Sequence, residues 1–300
     1  MTPLNLHDLV QKYYLSNDFN GLVDKTKVDY QYCAKVLLES KVDGKSLSTI
    51  SLSKMTGAIA RRAYEQWLSR GIYQANAITS VARKVYSYGM EMGYAESNPF
   101  ATYKRKPTHV RRTVWTKEQV IQFLDVAYSD FQYRNVGLIV QMAYEWCQRI
   151  GDMRLLQFTN IDFDKSVLNL QQSKRRSVVH LPISLDLLKM LVQQRDEYGF
   201  QPYVTQHYRL VRGEYKPYTL VRLSKVGRRV MDMANLPSEL RMMDLRRTGT
   251  TEMVEAGVPM GQIMSVTGHA NPQSVKPYMK NTYDSANNAL TLRKTYGTSK

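Results

Sequence analysis

The stretch Met243-Asp244-Leu245-Arg246-Arg247-Thr248, followed by Gly268-His269 and then by Tyr278, sets an arginine, a histidine and a tyrosine at fixed offsets near the C-terminus. A second arginine segment, Gln148-Arg149-Ile150-Gly151-Asp152, lies well upstream. Arginine's planar fork matches phosphate oxygens and keeps its charge. A tyrosine hydroxyl, with an ordinary pKa of about 10, is a latent nucleophile, and histidine or lysine can carry the protons of the reaction. Together these are the parts needed to attack a DNA phosphodiester without a metal.

The rest of the chain suits such a partner. Its 300 residues are enough for two domains with their own cores. Lysine and arginine number 42 against 26 acidic residues, a formal net charge of +16 and a pI near 9.7. That balance fits a polyanion, because phosphate neutralisation supplies most non-specific nucleic-acid affinity. No stretch of about 18 apolar residues reads as a membrane span. The N-terminus, Met1-Thr2-Pro3-Leu4-Asn5, lacks the basic-then-apolar layout of a signal peptide. Cys33 and Cys147 are unclustered and sit in apolar helical contexts. They give neither a disulfide framework nor a zinc site, and they read as buried small hydrophobes in a cytoplasmic chain. No metal or cofactor is expected.

Working outward, the first third reads as helices. Val28, Tyr32, Val36 and Leu37 recur at helical spacing, as do Ile78, Val81, Val85, Tyr88 and Met92. Lys54 to Arg70 forms another helix, ended by Gly71, and Asn98-Pro99 is expected to end the last one. Residues 103–114, containing Lys104, Arg105, Lys106, Arg111 and Arg112, are basic, hold Pro107 and show no period, so they read as a linker that contacts phosphate. Thr116-Lys117-Glu118-Gln119 has capping-box form and opens a second domain. Leu138 to Trp146 reads as an apolar helix. Val167–Leu170 and Ser177–Leu181 read as strands around the polar tip Ser173-Lys174-Arg175-Arg176. Helical patterns resume at Leu185. The expected fold is mainly α with a small antiparallel sheet: a helical domain over 1–102, the linker, a mixed domain over 115–283 and a tail over 284–300.

The order and spacing of these segments resemble the tyrosine recombinases, phage-type integrases in particular. Trp146 to Leu156 resembles the family's first arginine box, which gives Arg149 the catalytic role and Asp152 the bracing acid. Asn160-Ile161-Asp162 echoes the segment that follows. The family's lysine sits on a β-hairpin, which points to Lys174, with Arg175 and Arg176 close beside it. The second box appears as Met243-Asp244-Leu245-Arg246, with Arg246 as the second phosphate clamp. The family's Leu-Gly-His appears as Thr267-Gly268-His269, and Tyr278 follows His269 by nine residues. That interval favours Tyr278 as nucleophile over Tyr283. Val85 to Pro99 is similar to the last helix of the family's core-binding domain.

The resemblance implies a recombinase acting on double-stranded DNA through a 3′-phosphotyrosyl link, with strand exchange through a Holliday junction in a tetramer. An accessory DNA-bending protein is a possible further partner. Arg61, Arg62, Arg83, Lys84, the basic linker residues, Arg175 and Arg176 are the expected DNA contacts. The tail is either an amphipathic docking segment for a neighbouring subunit or a frayed end. The host would be a bacterial cytoplasm if the chain is phage-encoded. Alternatives in the same chemistry are a chromosome-dimer resolving, Xer-like recombinase and a type IB topoisomerase-like enzyme; a non-catalytic DNA-binding relative is the other class. Two departures stand out. Met243 occupies the place of a histidine, and a thioether gives no strong hydrogen bond. Pro277 precedes Tyr278, which is expected to push Lys276 out of helical geometry and to make the helix carrying Tyr278 start or kink there. Arg154 is read as an ion-pair residue, and His7, His109, His180 and His207 as structural or solvent-facing.

Overall fold

Asn5 opens the first helix: its side chain accepts from the Asp8 amide while the Asp8 carboxylate accepts from the Asn5 amide, a capping box that fixes where the chain begins to coil. The computed structural model describes residues 3–109, 111–174, 176–278 and 283–298. It divides into two compact units, Met1–Arg111 and Arg112–Lys300. None of the described helices is long and apolar enough to cross a membrane.

The first unit is helical: α1 (Leu6–Tyr14), α2 (Asn17–Asn20), α3 (Asp24–Glu39), α4 (Gly57–Trp67) and α5 (Ile72–Glu91), with a small hairpin of β1 (Lys41–Val42) and β2 (Lys45–Ser46). The hairpin turn is Asp43-Gly44, both at positive φ (53° and 75°), the pairing that Asp-Gly favours in two-residue turns. On α3 the inward face is Cys33, Ala34, Val36 and Leu37, while Val28 and Tyr32 are exposed. The expected stripe is therefore rotated. Cys33 and Ala34 are small, as are the buried Ala75 and Ala82 on α5, the helix against which α3 packs.

Helix α5 ends at Glu91 rather than at Asn98-Pro99. Gly93 turns left-handed (φ 71°), and the amides of Tyr94 and Ala95 close back on the Gly89 carbonyl. Asn98 has a different task. Its amide donates to the Arg83 carbonyl and the Ser87 hydroxyl, pinning the chain so that Phe100 is buried near Trp67. The segment read as linker continues along this unit. The Lys106 amide donates to the Tyr64 hydroxyl (2.7 Å), Asn76 donates to the Lys106 carbonyl (2.9 Å) and Tyr73 to the His109 carbonyl (2.7 Å).

The second unit begins where Trp115 donates its amide to the Thr248 hydroxyl and its indole N–H to the Arg241 carbonyl. Thr116 and Gln119 form the expected capping box of α6 (Lys117–Ser129). Then follow α7 (Phe131–Glu145), α8 (Ile150–Met153), β3 (Ile161–Asp162), β4 (Val167–Gln171), β5 (Val178–Pro182), α9 (Leu185–Tyr198), α10 (Leu220–Met233), α11 (Leu245–Glu255), α12 (Met260–Thr267) and α13 (Tyr283–Thr298). The sheet is antiparallel, in the order β3-β4-β5. Leu168, Leu170, Val179 and Leu181 point inward while Asn169 and His180 pair outward, so period-two alternation sets the register. Helix α7 is the core helix, buried along Val136 to Ala143. The tail is helical, and Leu290, Leu292 and Tyr296 on it are exposed.

Candidate active site

The site starts at the end of α7. Cys147 takes positive φ (50°), the Gln148 amide closes on the Ala143 carbonyl, and the chain leaves with Arg149 at the N-terminus of α8. A side chain other than glycine in this conformation is strained. Gly249 on α11 makes the corner possible, since a Cβ there would lie 2.5 Å from Cys147 Sγ. Burial pushes the Cys147 thiol up to about 12, which makes it inert packing rather than a nucleophile. The corner also aims the Cys147 carbonyl at Arg246 Nη1 (3.2 Å).

Arg246, on the first turn of α11, is almost fully buried. Its Nη2 donates to the Thr267 carbonyl (2.6 Å) and lies 3.3 Å from His269 Nε2. Burial, and then the nearby charge of Arg149, lower its pKa to about 10, so it remains a cation at neutral pH; Tyr278 and Asp152 oppose that shift. The Thr267 hydroxyl donates to the Ile263 carbonyl (2.7 Å), so it accepts from His269 Nδ1 at 2.7 Å. In that tautomer the Nε2 lone pair faces Arg246. Gly268, left-handed at φ 67°, makes the tight turn from α12 into His269.

Arg149 is one-quarter exposed at its side chain and stands 3.6 Å from Asp152 Oδ2. Asp152 is buried, and its Oδ1 accepts from the Ser173 amide and hydroxyl, latching the β4–β5 hairpin to α8. Tyr278 ends a 3-10 turn, Lys276–Tyr278, whose amide bond to Val275 (2.9 Å) ties it to a fully buried residue. Its ring centroid lies 6.0 Å from that of His269, and Arg247 Cζ sits 5.2 Å from the Tyr278 ring centre. Lys276 is the first residue of that turn, so the turn starts directly before Pro277. A proline needs no amide partner so early in a turn.

Arg149, Asp152, Arg246, His269 and Tyr278 are thus gathered in one place from α8, α11, the α12 terminus and the turn beyond it. Lys174 is exposed at the hairpin tip next to the latched Ser173. Met243 is 64% exposed on the 3-10 turn Met242–Asp244 that precedes α11. Arg176 is exposed at positive φ (53°), and Arg175 lies outside the described residues. Tyr283 begins α13.

The basic residues expected to touch DNA differ in their commitments. Arg61 pairs with Glu65 (3.1 Å), Arg62 with Asp43 (3.2 Å) and Lys84 with Asp18 (2.7 Å), all at the surface, where such pairs are weak and exchangeable. Arg83 is spent on the fold, donating to the Phe100 and Tyr103 carbonyls. Lys104 and Lys106 share one hollow of the first unit with Arg61. Arg105 reaches the Ser80 hydroxyl (2.5 Å), Arg111 is half-buried and Arg112 is exposed. Arg154 makes no carboxylate pair among the described residues; it donates to the Tyr218 carbonyl (2.8 Å), and burial lowers its pKa.

Sequence reasoning passed over Gln148, Gln172 and Thr267. Gln172 is fully buried and accepts from Arg149 Nη1 at 2.9 Å. In the sequence, Gln171-Gln172 beside a charged tip reads as solvent-facing hairpin. The signal was the strand alternation itself, which turns position 172 inward after Leu168 and Leu170.

The description "phage integrase family" belongs to a family model that matches residues 113–285, more than half of the chain. The tyrosine recombinase XerA of Thermococcus onnurineus (strain NA1) is 23% identical over 283 residues, spanning 93% of each chain. The fold superposes on a lambda integrase tetramer bound to a Holliday junction with a TM-score of 0.76 at 18% identity, covering 93% of this chain and 78% of that one. It superposes on the Tn1549 transposon integrase, residues 82–397, in complex with circular intermediate DNA, with a TM-score of 0.77 at 16% identity, covering 96% and 99%. The mainly helical chain with its small antiparallel sheet is the integrase fold.

Proposed function

Because the chain belongs to the phage integrase family of tyrosine recombinases, we propose that it is a site-specific DNA recombinase that integrates or excises a mobile element through a 3′-phosphotyrosyl intermediate. The observation that carries this reading is the cluster itself: Arg246 hydrogen-bonded beside His269, with Arg149 and Tyr278 near enough to act on its charge. Arg149 and Arg246 hold the non-bridging oxygens of the scissile phosphate. Their charge is aimed where negative charge grows as the phosphorus becomes five-coordinate. Tyr278 Oη attacks phosphorus, and the bond to the 5′ oxygen breaks. The phenol proton passes to His269 Nε2, the ring lone pair already beside Arg246. Lys174, brought in by its hairpin, protonates the leaving 5′ oxygen. The phosphotyrosine keeps the bond energy, so the 5′-hydroxyl of a partner strand rejoins without ATP. A tetramer on double-stranded DNA, with or without a DNA-bending protein, completes the exchange.

The end-to-end match to XerA favours a second reading, resolution of joined DNA circles. Recombination of two sites on one plasmid against sites on separate molecules distinguishes the two.

The test is covalent trapping. The protein is incubated with a randomised pool of nicked suicide duplexes, and DNA that stays attached in denaturant is recovered and sequenced. Wild type and Tyr283→Phe should give the adduct, and Tyr278→Phe should not. Salt-sensitive duplex binding with no adduct in any of them would instead describe a non-catalytic binder.

A further inference from the structure

Gln172 is the last residue before the hairpin tip that carries Lys174, and its side chain is fully buried. Among the described residues the side chain makes three hydrogen bonds, which link Arg149 to the groups that hold Arg246 and His269. Oε1 accepts from Arg149 Nη1 at 2.9 Å. Nε2 donates to the Thr267 carbonyl at 2.8 Å and to Gln148 Oε1 at 2.7 Å. The Thr267 carbonyl is the same oxygen that accepts from Arg246 Nη2, and the Thr267 hydroxyl holds His269 Nδ1. Gln148 is fixed in turn by donating to the Trp146 and Val266 carbonyls. Because Nε2 faces two acceptors and Oε1 a cation, the amide has one workable orientation.

Asp152 does not do this job. Its Oδ2 has no hydrogen bond among the described residues and approaches Arg149 only at 3.6 Å. Among the described residues, Gln172 is the one hydrogen-bond partner of the Arg149 guanidinium. The packing around it is equally specific: a Cβ on Gly268 would lie 2.6 Å from Gln172 Nε2.

We propose that Gln172 is the positioning residue of this site, setting the Arg149 guanidinium at a fixed distance from Arg246 and His269 and tying that spacing to the Lys174 hairpin. The proposal rests on the recombinase reading above. Gln172 touches no substrate atom; it acts through Arg149 and Thr267. Its backbone amide also closes the tip on Ser177 (2.9 Å), so a displacement of the hairpin is transmitted to Arg149.

The experiment is a double-mutant cycle on the full chain, read as the single-turnover rate of adduct formation at saturating suicide duplex. Gln172→Leu is expected to lower that rate about 100-fold, the scale of a small misplacement of a catalytic group, while duplex affinity is kept. In an Arg149→Ala background the same change should cost nothing further, since both act as one unit. Losses that multiply would show a structural role only and overturn the proposal. Gln172→Glu preserves shape and the acceptor facing Arg149 but sets its second oxygen against the Gln148 and Thr267 oxygens. It should be slow at neutral pH and recover as acid protonates it; a wild-type rate throughout would also overturn the proposal. The same proteins titrated with inorganic phosphate give a readout free of cleavage. Each single substitution should weaken phosphate about tenfold and the pair no more, whereas equal affinities in wild type and Gln172→Leu would refute the coupling. An Arg149→Ala protein that cleaves normally would instead sink the recombinase reading, a result distinct from a silent Gln172→Leu beside a crippled Arg149→Ala.

Discussion

Met243 shows what a single side chain withholds. It stands where the family's second box has a histidine, it is 64% exposed, and its thioether can neither donate a strong hydrogen bond nor carry a proton. Met243→His supplies both. A hydrogen bond to a charged group contributes about 1.5–3 kcal/mol, so single-turnover cleavage should rise roughly tenfold or more. Its pH profile should gain a step near the ordinary histidine pKa of about 6.5. An unchanged rate and profile would mean that this position does not face the phosphate. Arg149, Arg246, His269 and Tyr278 were legible in the sequence because their order and spacing are themselves a pattern. Gln172 and Thr267 were not. A buried amide or hydroxyl carries the same letter as a solvated one, and only the fold reveals which carbonyl it meets.

Between residues and the whole lie the turns, which decide where each group points. Gly268 and Gly257 are both left-handed, at φ 67° and 73°, but Gly257 has open space where a side chain would go and Gly268 has Gln172. Gly257→Ala should cost only the backbone strain, about 1–2 kcal/mol, in urea unfolding, and leave cleavage intact. Gly268→Ala should cost more than that and also depress cleavage, because the new methyl displaces Gln172. Equal effects of the two on cleavage would contradict this account. Elements with local signatures were readable in advance: the Thr116 capping box and the strands of alternating burial. The Asp43-Gly44 hairpin was equally readable and went unread. The end of α5 was misplaced because Asn98-Pro99 is a breaker of some kind, and only the packing of Phe100 shows that it anchors a loop while Gly93 stops the helix. The inward face of α3 depended on which stripe its partner could approach, a fact of packing rather than of period.

For the molecule as a whole, one histidine sets a pH dependence. His207 packs against the Tyr218 ring (4.1 Å between centroids), and burial, then the charge of Arg222, lower its pKa. In the unfolded chain a histidine takes up its proton as pH falls past about 6.5; in the folded chain His207 resists until lower pH. Stability present above pH 6.5 is therefore lost as pH falls through the depressed folded value. The melting temperature should drop on acidification below about pH 6.5, and His207→Gln should flatten that drop; parallel curves would rule the residue out. The basic segment after Thr102 has a last consequence, for anyone dividing the chain. A fragment cut at Thr102 would leave the Tyr64 hydroxyl, the Asn76 amide and the second Arg83 bond without the acceptors and donors they now hold. A fragment carried through His109 keeps them. The safe place for the scissors therefore lies beyond His109, well past the point at which the composition turns basic.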